Sequence, residues 1–507
     1  LTPDYFAVDI SAIQYNYYRP RDTTQNAMKA IFAAVIAAIF GVAPATAASA
    51  APTTVTHPQW SRNAVIYEVN VRQYTPEGTF KAFARHLPRL RDLGVDILWL
   101  MPIHPISEEW RKGTLGSYYA VRDYYGVNPE FGTMDDMCAL VDSIHAYGMR
   151  VIIDWVPNHT GCDNAWVKTH PEYYARNAKG EMYGPYDWTD VYKLDYKNPA
   201  TRRAMTDAMA FWLKKAGIDG FRCDVAMEVP TDYWNEARIE LQRIRPDLFM
   251  LAEASNADLT EHAFDMAYNW PMKDLFNAVA ATAGEYTFVA PGESAPRKYE
   301  EKHAIDIASL ALGQREQFPA DAYLMNMVTN HDLNSWEGTE FQRYGRLTSA
   351  MAVLSFTLPG MPLIYTGQEA GMDRALQFFE KDTAPDFESN PDMTSFYKTL
   401  AALKHSRREL RAGAAPGFEP IDTGNKDVLM FRRTNADDVR SYTLVCVNLG
   451  KDDVLVSLPP DIAYSQNIIG ANISATDFSE VQGLEPAPSR IGVTFAPGGY
   501  IVAPVDR

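Results

Sequence analysis

The chain of 507 residues is long enough for a large core domain and a smaller second unit. Its 64 acidic residues outweigh 47 basic ones, and the formal charge of -17 argues against a nucleic-acid or anionic-membrane partner. Four scattered cysteines exclude a disulfide framework, and without any Cys/His metal spacing, Cys138, Cys162, Cys223 and Cys446 are expected as free thiols.

Residues 28–50 begin Met28-Lys29, run apolar from Ala30 to Ala43 and end Ala48-Ser49-Ala50. A positive start, a short apolar core and an Ala-x-Ala site make a signal peptide, with cleavage expected after Ala50. The apolar run is too short for a membrane span and no other segment resembles one, so a secreted or periplasmic protein is expected. Residues 1–27 lie upstream of Met28, lack this pattern and read as an over-long gene start.

From Ala64 the chain alternates strand and helix. Apolar runs at 64–69, 96–101, 149–154, 219–223, 248–253, 263–266, 323–328 and 362–365 read as strands. Helical spacing separates them at 79–92, 133–147, 199–216, 232–245, 271–283, 303–316 and 343–355, with a last helix at 390–410. Continuous apolar strands separated by helices are the signature of a parallel sheet buried on both faces. Such α/β units repeated over residues 60–410 predict a closed (β/α)8 TIM barrel. An open doubly wound sheet is the weaker alternative, since no Gly-rich phosphate loop follows the first strand. The connection after the third strand, residues 160–196, is rich in Tyr, Trp, Asn and Gly and has no clear helix. It reads as an inserted lid or small domain. Over 414–507 short strands (428–431, 442–447, 454–458, 499–502) alternate with turn residues, which predicts a C-terminal antiparallel β domain of sandwich type.

In such a barrel the strand ends converge on one mouth, where chemistry sits. Asp154 ends the third predicted strand, Asp224 the fourth and Glu253 the fifth, and Asn330-His331-Asp332 follows the seventh. Arg222, His159 and His331 lie close by in sequence. An arginine and an aspartate on one face of Gly220-Phe221-Arg222-Cys223-Asp224 are costly to bury unless they pair or do chemistry. Two carboxylates on neighbouring strand ends suit retaining glycoside hydrolysis, in which nucleophile and acid/base stand ~5–5.5 Å apart. Arg222 would keep Asp224 ionised, and Glu253, after the apolar run 249–252, would hold the proton. Metal binding by the same carboxylates is the competing reading, and no close ligand spacing supports it. Trp155, Trp188 and Trp336 are candidates for the cleft or for packing.

Four stretches carry a resemblance: Asp154-Trp155-Val156-Pro157-Asn158-His159, Gly220 to Asp224, Leu251-Ala252-Glu253-Ala254 and Thr329-Asn330-His331-Asp332. In that order, at strand ends, they resemble the sequence regions of the α-amylase family of glycoside hydrolases (family 13), over roughly residues 60–507. Tyr119 to Tyr124 looks like the family's tyrosine element. The resemblance implies that Asp224 is nucleophile, Glu253 general acid/base and Asp332 the residue that fixes the substrate's 2- and 3-hydroxyls. It implies a sugar subsite lined by His159, His331, Arg222 and Tyr119, with Tyr119 stacked on the ring. Residues 160–196 would be domain B and the C-terminal strands domain C. The substrate implied is an α-1,4-glucan: starch, glycogen or a maltooligosaccharide.

Two departures bear on substrate and cofactor. Many α-amylases follow the nucleophile with a Lys-His pair on the leaving-group side, where this chain has Met227-Glu228. Calcium-dependent members use an Asn in the first region and an Asp in domain B; Asn158 is a candidate calcium ligand, but Lys193 stands where that Asp usually falls. A lysine cannot ligate a cation, so no cofactor is expected to be required and calcium is argued against. An α-amylase-type hydrolase is the main expectation, and an exo-acting α-glucosidase or transglycosylase on short α-glucans is the alternative. A non-catalytic carbohydrate-binding protein on the same fold is more distant, since it has no need of an intact Asp224, Glu253 and Asp332.

Overall fold

The computed structural model describes residues 55–413, 416–435, 437–465, 467–475 and 491–506. The expected gene-start extension (1–27) and signal peptide (28–50) lie outside the described residues. Among the described residues ten strands precede the C-terminal unit: β1 Ile66–Val69, β2 Ile97–Leu100, β3 Arg150–Trp155, β4 His159–Gly161, β5 Val191–Lys193, β6 Gly220–Cys223, β7 Phe249–Ala252, β8 Met266–Tyr268, β9 Tyr323–Asn326 and β10 Met361–Tyr365. Eight of them close a parallel barrel in the order β1-β10-β9-β8-β7-β6-β3-β2. The α/β barrel is thus as the alternating pattern predicts.

Strand alternation explains why these short apolar segments close on themselves. Successive side chains point to opposite faces. Ile66, Trp99, Ile152, Leu251, Met325 and Leu363 fill the barrel interior. Their neighbours Tyr67, Leu98, Ile153, Met250 and Ile364 pack outward under the helices. Both faces are covered, so the strands read as unbroken hydrophobic runs. Gly220 opens β6 because a Cβ there would stand 1.7 Å from the Phe249 carbonyl oxygen.

The structure departs from the expected elements at points with clear causes. The helix expected at 79–92 is two helices, Phe80–Ala84 and Leu87–Leu93; Pro88 opens the second and has no N–H to continue the first. The strand expected at 263–266 is shifted to Met266–Tyr268, because Asp265 sits at its start with its carboxylate tied to Arg238 and His57. The helix expected at 343–355 is interrupted at Gly345, which has a φ of 49°, and resumes as Thr348–Thr357. The 160–196 insertion, expected without helix, holds a five-residue helix, Ala165–Thr169, and is anchored by the antiparallel pair β4–β5.

The C-terminal strands are β11 Pro416–Ile421, β12 Val428–Asn435, β13 Asp438–Asn448, β14 Val454–Leu458, β15 Ile469–Ala475 and β16 Ile491–Asp506. They form one continuous antiparallel sheet, where the sequence pattern predicts two stacked ones. The reason is β16, sixteen residues long: its first half pairs with β14, its second half with β13, and β15 runs along both. Leu429, Phe431, Val445 and Val447 turn toward the barrel, while Val428, Met430, Leu444 and Cys446 make a separate core on the far face. The four cysteines are free. No helix among the described residues is long and apolar enough to cross a membrane.

Candidate active site

Arg222 is the centre of the mouth. On β6, Phe221 and Cys223 face the outer core, which leaves Arg222 inside the barrel, fully buried. Its Nη1 donates to Asp154 Oδ1 at 2.9 Å and to Asp224 Oδ1 at 3.0 Å, and its Nη2 lies 3.1 Å from Glu253 Oε2. Its Nε donates to the Tyr268 hydroxyl at 3.1 Å. The guanidinium carbon stands 5.0 Å from the Trp99 ring centroid, 5.5 Å from Tyr268 and 5.7 Å from Tyr119. One cation thus answers three carboxylates and is walled by aromatic faces that favour a cation.

The two central acids are each tied at one oxygen. Asp224 Oδ1 is held by Arg222, and Oδ2 has no hydrogen-bond partner among the described residues. Glu253 Oε2 accepts from the Val225 N–H at 2.7 Å and faces Arg222, and Oε1 has none. Val225 makes its bond from a φ of 36°, a left-handed conformation that a β-branched residue pays for in strain. The turn after Asp224 is therefore bent so that its backbone holds Glu253. The two acids have one free oxygen each, and they are 7% and 8% exposed, enough to be reached from the cleft.

A second chain of contacts runs across the mouth. The Tyr119 hydroxyl lies 2.7 Å from His331 Nε2 and 3.1 Å from Asp154 Oδ2, and His331 Nδ1 meets Glu68 Oε1. Trp99 Nε1 donates to the same Asp154 oxygen at 3.1 Å. Burial pushes the Glu68 carboxyl well up, against Arg222, and pushes the His331 imidazole down, against Asp332. Both directions favour a neutral pair. The assignment that uses each hydrogen once is then directional: Glu68 donates to Nδ1, Nε2–H donates to Tyr119, and Tyr119 donates to Asp154. Tyr119 also stacks on His331 at 5.5 Å, and Phe378 lies parallel to Tyr119 at 6.3 Å.

Burial is the first cause of every upward shift here. It carries Asp154 and Asp332 to about 6, with Arg222 opposing at Asp154 and His331 opposing at Asp332. Asp224 is pushed well up by burial and by the Glu253 charge, against Arg222. Arg222 opposes this shift without outweighing it, where the sequence reading expects it to keep Asp224 ionised. His159 is carried down to about 3 by burial and is a neutral ring. It meets Trp188 edge-on at 5.2 Å.

The structure thus gathers Asp224, Glu253, Arg222, Tyr119, His331 and Asp332, with His331 Nε2 3.4 Å from Asp332 Oδ1. His159 sits where β4 begins, joining the barrel to the insertion. Trp155 belongs to the core, and Trp336 packs on Phe378 and Phe379. Sequence reasoning missed Glu68, Trp99 and Tyr268. For Glu68 there was a signal, a lone carboxylate inside the apolar run Ile66-Tyr67-Glu68-Val69. The two aromatics looked like any other core residue.

Asn158 and Lys193, the two residues at the expected calcium position, both face protein partners. The Asn158 amide nitrogen faces His159 Nδ1 at 3.5 Å, and Lys193 Nζ is bound to Glu228 Oε2 at 2.7 Å. No group of three or more His, Cys, Asp or Glu side chains among the described residues is placed to hold a metal. Glu228 also accepts from the Tyr186 hydroxyl at 3.0 Å. Glu228, where many α-amylases carry a histidine, therefore clasps the insertion to the barrel near Asp224.

Comparison with known proteins agrees with this geometry. The family model "Alpha amylase, catalytic domain" matches residues 45–190 and 172–419. The α-amylase MalA of Haloarcula japonica is 28% identical over 79% of this chain, which spans 58% of that relative's length. A cyclomaltodextrinase of a Bacillus species is 24% identical over 77% of this chain and 75% of its own. The crystal structure of a noncanonic maltogenic α-amylase, AmyB of Thermotoga neapolitana, superposes with a TM-score of 0.71 at 26% identity, covering 88% of this chain and 99% of that one. With the family model covering most of the chain, and a closed barrel whose strand ends gather its acids, the chain belongs to the α-amylase family of glycoside hydrolases.

Proposed function

We propose that the chain is a retaining α-glucosidase-type enzyme acting on short α-glucans, releasing small sugars from chain ends and transferring glycosyl groups to sugar acceptors. The reading rests first on the paired acids, each with one oxygen bound and one free. Asp224 Oδ2 attacks the anomeric carbon while the proton on Glu253 Oε1 passes to the glycosidic oxygen, and that C–O bond breaks. Glu253, now a carboxylate, takes a proton from water or from a sugar hydroxyl, whose oxygen displaces Asp224 and restores the α-configuration. A guanidinium that reaches both carboxyls is compatible with the ~5–5.5 Å separation of retaining enzymes. Asp332, His331, Tyr119, Arg222 and His159 would hold the sugar being transferred.

The preference for short substrates rests on one observation, the Glu228 clasp to Lys193 and Tyr186 on the leaving-group side. On this reading a cross-link there restricts a polymer more than a short sugar. The names of the cyclomaltodextrinase and the maltogenic amylase among the relatives support the same reading. Export belongs to the proposal too, on the signal-peptide pattern of residues 28–50.

A time course of products from maltotriose, maltoheptaose, a cyclodextrin and soluble starch tests it. Faster turnover of the short and cyclic sugars, with longer transfer products at high maltotriose, is expected. Rapid loss of starch viscosity with mixed oligomers would overturn the short-chain reading in favour of endo cleavage.

A further inference from the structure

On the barrel face opposite the mouth, a cavity of about 120 Å³ lies between the segments leading into β9 and β10 and the C-terminal sheet. Arg315, Arg411 and Arg433 line it, and no Asp or Glu does. None of the three has a carboxylate within ion-pair distance among the described residues. Arg433 is the telling one, at 1% exposure. Its Nη1 donates to the Thr357 carbonyl at 2.6 Å and its Nε to the Gly417 carbonyl at 3.1 Å, while Nη2 has no hydrogen-bond partner among the described residues. Burial and the charge of Arg315 hold its guanidinium down to about 9. Glu409, which acts on it from a distance, is already taken by Arg407 and Thr443. Behind the cavity wall Lys404 is fully buried and bound to carbonyls alone, Gly360 and Leu410, and burial and the Arg433 charge push its ammonium well down.

A buried guanidinium is ordinarily matched by a carboxylate, because an unmatched one is costly. In a chain with 64 acidic residues against 47 basic ones, three arginines around a cavity without an acid are not an accident of composition. We propose that this cavity binds a phosphate-type oxyanion between the barrel and the C-terminal sheet. A planar guanidinium can donate two parallel N–H bonds to two oxygens of a tetrahedral phosphoryl group, and three such cations more than balance a dianion. The occupant is inorganic phosphate or the phosphoryl group of a sugar phosphate, and its binding ties β12 to the loops before β9 and β10.

The test is thermal unfolding of the full protein against inorganic phosphate, with sodium chloride matched in ionic strength. A saturable rise of about 2–4 °C is expected for a protein of this size. The exposed pair Arg315→Ala/Arg411→Ala should fold, hydrolyse maltotriose normally and lose that rise. Arg411→Ala alone, as a milder variant, should weaken phosphate about tenfold. Glucose 6-phosphate in place of phosphate identifies the source: a rise at tenfold lower concentration assigns a sugar phosphate, and an equal or smaller one assigns the free ion. No rise beyond the chloride control, or the same rise in the double variant, would overturn the proposal.

Discussion

The two ends of the barrel use the same acids in opposite ways. At the strand starts, Asp265 precedes β8 and accepts from Arg238 Nη1 at 2.7 Å, His57 Nδ1 at 2.8 Å and the Met250 N–H at 2.8 Å. Asp219, before β6, is likewise surrounded by His145, Arg150, Arg245 and the Val151 N–H. At the strand ends, Asp154, Asp224 and Glu253 divide a single arginine. The electrostatic outcome follows the donor count. Asp265 is fully buried, yet the Arg238 charge and its hydrogen bonds hold its carboxyl below the usual range. Asp154 is equally buried and is pushed up to about 6, and Asp332, with a quarter of its side chain exposed, is pushed to about the same value. Burial alone therefore does not mark a site. What marks it is a set of acids with too few donors, which costs stability and leaves oxygens free to react.

The largest test of that contrast is to remove the reacting oxygens. Asp224→Asn or Glu253→Gln should lower kcat by ~10⁴-fold, with circular dichroism and Tm unchanged or Tm raised. Normal turnover by either would refute the assignment. The structural acid should behave the other way. Asp265→Asn should cost about 3–5 kcal/mol in urea unfolding, since it leaves Arg238 buried and unmatched, while kcat of the folded enzyme stays within about twofold.

The pH dependence should separate the two ends as well. A depressed carboxyl stabilises the fold above its unfolded value of ~3.9, and that gain is lost as pH falls through the folded value. This is the contribution of Asp265. A raised carboxyl costs stability above its folded value, and the cost is relieved as pH falls toward ~3.9. Asp332→Asn should therefore flatten the stability profile between about 4 and 6 and be at least as stable as the parent at neutral pH, while kcat/KM falls ~10²-fold. In the parent enzyme kcat/KM should fall on the acid side with a midpoint near the value of about 6 shared by Asp154 and Asp332.

The smallest effect concerns Glu68. If it donates a proton to His331, Glu68→Gln keeps a donor and should stay within about twofold of the parent. Glu68→Leu breaks the chain to Tyr119 and Asp154 and should lose about tenfold, or ~1.4 kcal/mol of barrier. Equal losses in both would show that Glu68 acts as a charge.

The barrel was legible because its strands are buried on both faces, and a continuous apolar run of four to six residues has few other uses. The acids at strand ends were legible for the opposite reason, since Asp154, Asp224 and Glu253 interrupt or close such runs. What stayed hidden depended on partners far away in sequence. Asp265 looked like part of a strand until Arg238 and His57 were seen to hold it at the strand's start. The single C-terminal sheet could not be read from four short apolar runs, because it depends on the sixteen residues of β16 serving three partners. The Glu228 clasp appeared in the sequence only as a missing Lys-His pair, and its meaning came from Lys193 and Tyr186 in the insertion.

The most direct measurement is to trap the intermediate. Incubation with 5-fluoro-α-glucosyl fluoride, followed by proteolysis and mass spectrometry, should leave one glycosyl adduct on the peptide that carries Asp224, and Asp224→Asn should carry none. An adduct on Glu253 or Asp332, or release of a β-anomer without any adduct, would contradict the division of roles between the two acids that share Arg222.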